Sequence, residues 1–401
     1  MKGRRRNPAY YIFKPQFTIM KKTIQFSALS KLGYMLLILL MAVMGHPVQG
    51  YASGPVSAVY SPARKHSEVF MKGRDRLLHH FYAENGHWVH DGDSFKGFPV
   101  GDEISAVYAP QRSHTEVFYK GADGLLHYWY KEGGRWLQDA TTFKAFPVGG
   151  DISAVYAPQR QHAEVFYKGT DGLLHYWFVD GGVWRHDGSA FRAFPVGGDI
   201  SATFATQRNH SEVFYKGTDG LLHYWYVYGE GWAHDGTSFK GFPVGGDISA
   251  TFATQRSHAE VFYKGTDGLL HYWYVEGGAW RHDGSSFQGV PVGGDISATY
   301  APQRKHSEVF YRGNDDVIHY WYVEGSWRHD GTTFQSAPVS GEVSATYAPQ
   351  RSHSEVFHQG PETMLDYWYV EGSWRHDDIT FKRLLEPKIT PKPGMPFPGK
   401  G

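Results

Sequence analysis

Five times in succession this sequence sets out an arginine, a histidine two residues later and a tryptophan further on: Arg112, His114 and Trp136; Arg160, His162 and Trp184; Arg208, His210 and Trp232; Arg256, His258 and Trp280; Arg304, His306 and Trp327. These residue types suit a polyhydroxylated ring. A guanidinium fork donates two hydrogen bonds to vicinal oxygens, and an indole face covers the apolar C–H side of a sugar. A second reading of the same residues stays open. The tryptophan could seal an interface between repeats, and the arginine could pair at the surface with the glutamate of the adjacent H-x-E motif.

The other recurring polar residues suggest turns and scaffolding. Asp171, Asp187 and Asp199, taken from one repeat, sit in turn sequences where a carboxylate bonds nearby backbone amides. The 23 histidines recur in H-x-E, LLH and W-x-H-D. His and Glu two apart on a strand share one face, but the spacing offers no third convergent ligand. Hydrogen-bonded spokes between repeats are the expectation, and no metal or cofactor is assigned. There is no serine nucleophile elbow, no H-E-x-x-H and no phosphate-binding glycine loop. Acids recur in every repeat, so no carboxylate pair for glycoside hydrolysis stands out. The sialidase-type repeat S-x-D-x-G-x-x-W matches neither HDGTSF nor GTDGLLHYW. The chain has no cysteine, which excludes disulfides and thiolate chemistry. No catalytic residue is expected, and the chain is read as a non-enzyme.

A repeat must position all of this. The dipeptide Ser-Ala falls at Ser57, Ser105, Ser153, Ser201, Ser249, Ser297 and Ser344, at a spacing of 48 residues and finally 47. Within 151–198, DISAVYAP, HAEVFYKG, LLHYWFV and VWRHDG read as four short strands, with GTDG as a hairpin turn that uses Gly172 at positive φ. Val165 and Tyr167 face one way and Phe166 the other; Leu174 and Tyr176 oppose Leu173 and Trp177. Both faces of the sheet are apolar, so both must be covered. Unit one and unit seven look like the rest rather than like caps. A closed ring covers every face without caps, and the chain is therefore read as all-β, a seven-bladed β-propeller of four-stranded antiparallel blades over 53–383. Strand order places the Arg, His and Trp on one rim, and the GTDG, HDG and PVGGD turns on the other. How the ring closes is not legible.

The flanks read differently. Lys21, Lys22 and Lys31 precede the apolar run 34–45, too short to span a bilayer and of the length of a signal-peptide core. Residues 1–52 are expected to be a leader cleaved after Ala52, which makes the mature chain secreted; Met20 is an alternative start. The proline-dense stretch 384–401 is expected to be a disordered tail. Forty basic residues balance forty acidic ones, so nothing points to nucleic acid.

The pattern EVFYKGTDGLLHYWY, followed by a tryptophan, resembles the repeat of PLL-like bacterial lectins, V-F-x-x-G-x-D-x-x-L-x-x-x-W. It matches at Val213, Phe214, Gly217, Asp219, Leu222 and Trp232, with Trp225 at the end of the third strand and equivalents in units two to six. The resemblance implies a seven-bladed propeller that binds glycans, with fucose or O-methylated sugars near blade boundaries. Separately from the resemblance, a homo-oligomer stays open. LLHYW and the Arg-x-His-x-Glu element stand apart from that pattern, so the resemblance carries the activity class and no individual contacts.

Overall fold

The computed structural model describes residues 55–139, 141–229, 231–254, 256–360 and 365–385. The expected leader, its cleavage point and nearly all of the proline-rich tail lie outside them. The described residues form seven separate four-stranded antiparallel sheets, each built from four consecutive strands. Blades one to seven occupy 56–91, 100–139, 148–187, 196–235, 244–283, 292–330 and 343–377. The first strands of successive blades are neighbours around the ring, and the first strand of blade one, Val56–Ser61, lies beside that of blade seven, Val343–Ala348. This is a seven-bladed β-propeller.

Alternation along each strand builds the core. Val165, Tyr167 and Trp177 of blade three pack with Phe118, Leu126 and Phe143 on the blade-two side. Phe166, Leu174 and Tyr176 face Val213, Tyr215 and Trp225 of blade four. Each blade thus lends one apolar face to each neighbour, as both-sided hydrophobicity requires. The tryptophan of each fourth strand crosses the junction backwards. Trp184 meets Phe118, Tyr128 and Phe143 edge-on at 5.2–6.0 Å between ring centroids.

Among the described residues, ring closure repeats the internal junctions and exchanges no strand. The hydroxyl of each marker serine accepts the amide of an alanine in the next blade. Ala154 N–H donates to Ser105 at 2.9 Å, Ala250 to Ser201 at 2.8 Å, and across the closing seam Ala58 donates to Ser344 at 2.9 Å. Trp88 of blade one packs on Phe357 and Tyr367 of blade seven and on Phe381. Phe381 belongs to the single described helix, α1 (Ile379–Leu385), and takes the place that Phe143 or Phe239 holds in the inter-blade links. In those links an aspartate caps the first turn, as Asp235 does for Thr237 and Ser238, and a Pro-Val pair then leads into the next strand. Asp377 caps Ile379 and Thr380 in the same way, but Lys382-Arg383-Leu384-Leu385 follows and the turn continues as helix. Leu384 and Leu385, placed by the sequence in the tail, pack against this closing cluster.

Candidate functional site

Arg160 sits in the turn between the first strand of blade three, Val148–Ala157, and the second, His162–Gly169. The turn is tight because Gln161 adopts φ 52°, a left-handed value. Every blade does the same at this position with a non-glycine residue, from Lys65 to Ser352. Such backbone is strained and persists only where the surroundings dictate it. Here it reverses the chain within one residue, so that the arginine stands over its own sheet while the histidine starts the next strand.

Each arginine is held from two sides. Arg160 Nε lies 2.9 Å from Glu164, and its guanidinium covers the Phe178 ring at 4.5 Å. Arg304 pairs with Glu308 at 3.1 Å and covers Tyr322 at 5.0 Å. The glutamates are fully buried while the arginines are about a third exposed. The pairing anticipated as a surface contact is thus a buried acid anchoring a half-open base. Tyrosine hydroxyls help, as Tyr367 donates to Glu355 at 2.7 Å. A charge-assisted contact of this kind pre-orients the fork and leaves its outer N–H groups facing solvent.

The structure regroups the sequence triplets. An arginine does not meet the tryptophan of its own repeat; it shares a cleft with the histidine and tryptophan of the following blade. Arg112, Tyr128, Tyr130 and Asp139 of blade two meet His162 and Trp184 of blade three around a cavity of about 580 Å³ that His114 also lines. Arg208, His210, Tyr224, Tyr226 and Asp235 meet His258 and Trp280 around one of about 740 Å³. Trp136 closes a smaller cleft of about 370 Å³ with His80, Tyr82 and Lys131. At the remaining junctions Trp232 packs on Phe166 and Tyr176, opposite Arg160, and Trp327 packs on Phe262 and Tyr272, opposite Arg256. His306 lies beside Trp327 at 6.0 Å. Arg304 faces blade seven, whose Trp374 covers Tyr320. The reason is geometric: the fourth-strand tryptophan leans back across the junction, while the arginine stands on the face turned to the next blade.

Two features escaped the sequence reading. Tyr128 and Tyr130, two apart on one strand, wall the cleft together; the i, i+2 spacing in YWY signals this. Asp139 and Asp235, equivalents of Asp187, line the same clefts as Arg112 and Arg208, although strand order assigned them to the opposite rim. The Asp171 type behaves as expected for a turn acid: it accepts Leu173 N–H at 3.0 Å, with Gly172 at φ 78°.

The LLH and W-x-H-D histidines bond within a blade rather than between blades. His175 Nε2 donates to Asp171 at 3.0 Å, and its Nδ1 accepts from His186 Nε2 at 2.8 Å. In blade two Gln138 supplies the same donor to His127 at 2.7 Å, which fixes the direction of the chain. Burial, then the neighbouring His175, lowers His186 to about 4. A further group of acids gathers where the first strands begin. Burial and mutual repulsion raise Glu103 to about 9, Asp151 and Asp295 to about 6, and Glu342 to about 7.

Among the described residues one set of metal-ligating atoms converges, those of His358, Asp366 and His376, within 4.8 Å of one another. The Trp368 indole N–H donates to His358 Nε2 at 3.2 Å. The neutral ring therefore carries its proton on Nδ1, the atom that faces Asp366 at 4.0 Å. That geometry presents a proton, and not a lone pair, to an ion.

No protein-family model matches the chain, and no curated protein matches it. Solved structures do. The SapL1 lectin, in complex with alpha methyl fucoside, superposes with a TM-score of 0.50 at 15% identity, over 82% of this chain and 97% of that one. An arginine-to-alanine triple mutant of AofleA from Arthrobotrys oligospora superposes with a TM-score of 0.51 at 17% identity, over 69% and 86%. At these identities the likeness establishes a shared propeller architecture.

Proposed function

We propose that this chain is a multivalent carbohydrate-binding protein, a lectin, that acts outside the cytoplasm and binds rather than turns over its ligand. One observation carries the reading: the same cleft recurs between blades, with an anchored arginine on one wall and the next blade's histidine and tryptophan on the other. Such a cleft offers a directed pair of N–H donors beside an aromatic wall, the two surfaces that a monosaccharide needs. Fucose-like or O-methylated sugars are the proposed ligands. The resemblance of the repeat and the fucoside bound to SapL1 both support that choice. A shallow site of millimolar affinity is worth only about 4 kcal/mol. Several such sites on a rigid ring gain about two to four orders of magnitude on a glycan-coated surface, which gives the near-identical repeats a use. The apolar run 34–45 behind Lys21, Lys22 and Lys31 supports export.

A glycan array followed by titration calorimetry with methyl α-L-fucoside tests the proposal. More than one site per chain, with heat lost on competition by free sugar, is the expected result. A flat array across fucosylated, galactosylated and O-methylated sugars overturns it. Capture of a protein partner that sugar does not displace would favour a protein-binding scaffold instead.

A further inference from the structure

The junctions share their arginine and tryptophan and vary at several positions, one of which, the residue between His and Glu in H-x-E, reaches the buried glutamate of the preceding blade. At four junctions the later blade places a serine there. Ser211 donates to Glu164 Oε2, and Ser354 does the same to Glu308; two further junctions repeat the contact. The hydroxyl occupies one carboxylate oxygen and leaves the other for the arginine, which stays 2.8–3.3 Å away.

At two junctions the later blade has alanine, Ala163 and Ala259. Among the described residues, Oε2 of Glu116 and of Glu212 then finds no hydrogen-bond partner. The arginine contacts lengthen to 3.4 Å for Arg112 and 3.5 Å for Arg208. Arg112 directs Nη2 across the junction to His162 Nε2 at 2.7 Å, beside Trp184. These same two junctions hold the cavities of about 580 and 740 Å³, and Tyr228, 79% exposed, stands at the lip of the larger. Burial raises Glu116 and Glu212 to about 7. Held by its glutamate at only 3.4–3.5 Å, each guanidinium turns toward the cleft, Arg112 Nη2 to His162 and Arg208 Nη1 to the Tyr224 hydroxyl at 3.4 Å, where a ligand oxygen can take over the donation. The junction between blades one and two is a third case: Thr115 replaces the serine, and Glu68 bonds His80 at 3.0 Å.

We propose that this single position sorts the inter-blade clefts into two classes, and that the alanine-walled clefts, built on Arg112 and Arg208, are the high-affinity sugar sites of the ring. The inference rests on the lectin reading and adds to it a count of sites and the residue that sets them. The ring is graded: two clefts bind tightly, and the serine-walled ones bind weakly because their arginines stay turned to their own glutamates at 2.8–3.3 Å rather than across the junction.

Titration calorimetry on the full chain with methyl α-L-fucoside tests this. The wild type is expected to show two tight sites. Ala163→Ser with Ala259→Ser should weaken each of them about tenfold, the loss of one charge-assisted hydrogen bond. Ser211→Ala should add a third. Folding is not at risk, because each substitution installs a residue that other junctions already carry. Equal sites in the wild type, unmoved by Ala→Ser, overturn this inference and leave the lectin reading intact. No binding of any sugar on the array overturns both.

Discussion

The closing seam between blades seven and one and the internal junction between blades four and five are made of different sequence but the same contacts. At the seam, Trp88 packs on Phe357, Tyr367 and Phe381, and Ser344 takes the Ala58 amide. At the internal junction, Trp280 packs on Phe214, Tyr224 and Phe239, and Ser201 takes the Ala250 amide. The difference lies in how the wedge arrives. Phe239 comes from a link that leads into another blade, whereas Phe381 comes from the helix that follows blade seven. The comparison teaches that, among the described residues, closure uses no exchanged strand: the seam closes with the wedge and serine–amide contacts of the internal junctions once it finds its phenylalanine.

The largest effect tests that equivalence. Phe239→Ala and Phe381→Ala each empty a fully buried site and should each cost about 3–5 kcal/mol, read as equal drops in denaturation midpoint. A seam variant far milder than the internal one would show that the ring tolerates an open junction.

The next effect concerns the acids where the first strands begin. Blade one has Pro55 where other blades carry an acid, and its Val56 amide donates to Glu342 at 3.1 Å. Glu342, with that donor, stands at about 7, while Glu103 reaches about 9. A carboxyl whose folded pKa is raised keeps its proton in the native state after the unfolded chain has lost it. Stability therefore falls as pH rises, from the unfolded value near 4.5 up to the folded one. The half-buried histidines of the fourth strands act oppositely. His186, His234 and His282, lowered to about 4 by burial and the adjacent histidine, add stability as pH rises from 4 to 6.5 and nothing beyond. Between pH 6.5 and 9 the acids act alone. A fall of about 2–3 kcal/mol from Glu103 is expected there, and Glu103→Gln should flatten it in denaturant titrations at several pH values.

The repeat arithmetic made the blades and their number legible, and the two-sided apolar strands made closure necessary. The seam itself was not legible: Phe381 fell within the propeller bounds 53–383, but nothing in Ile379-Thr380-Phe381-Lys382 marks it as a wedge until it meets Trp88. Arg160, Glu164 and Trp184 were visible as residue types. Their grouping was not, because a cleft shared by two blades joins residues a full repeat apart, and only the lean of the fourth strand says which arginine meets which tryptophan. The Ser/Ala variation of H-x-E was in plain view, but it gains meaning only once Ser211 is seen to reach Glu164 in the preceding blade.

A smaller effect separates blade four from blade seven. In blade four, Asp219, His223 and His234 form the Asp–His–His chain, at 3.0 and 2.8 Å. His223→Ala leaves both neighbours without their partner and should cost about 2 kcal/mol. His234→Gln should cost under about 1 kcal/mol, because blade two already uses Gln138 as that donor. In blade seven the chain is replaced by His358, Asp366 and His376, at 3.7–4.0 Å. The rim keeps its form there: Arg351 pairs with Glu355 at 2.8 Å and covers Tyr369. The chain of histidines thus stabilises a blade without being needed to shape the rim. If that is so, His223→Ala lowers the midpoint of unfolding while leaving the proposed sugar binding at Arg208 within about twofold of the wild type, since the change lies outside that cleft. A matched loss of stability and affinity would instead tie the interior of each blade to its cleft, and the contrast with blade seven would lose its meaning.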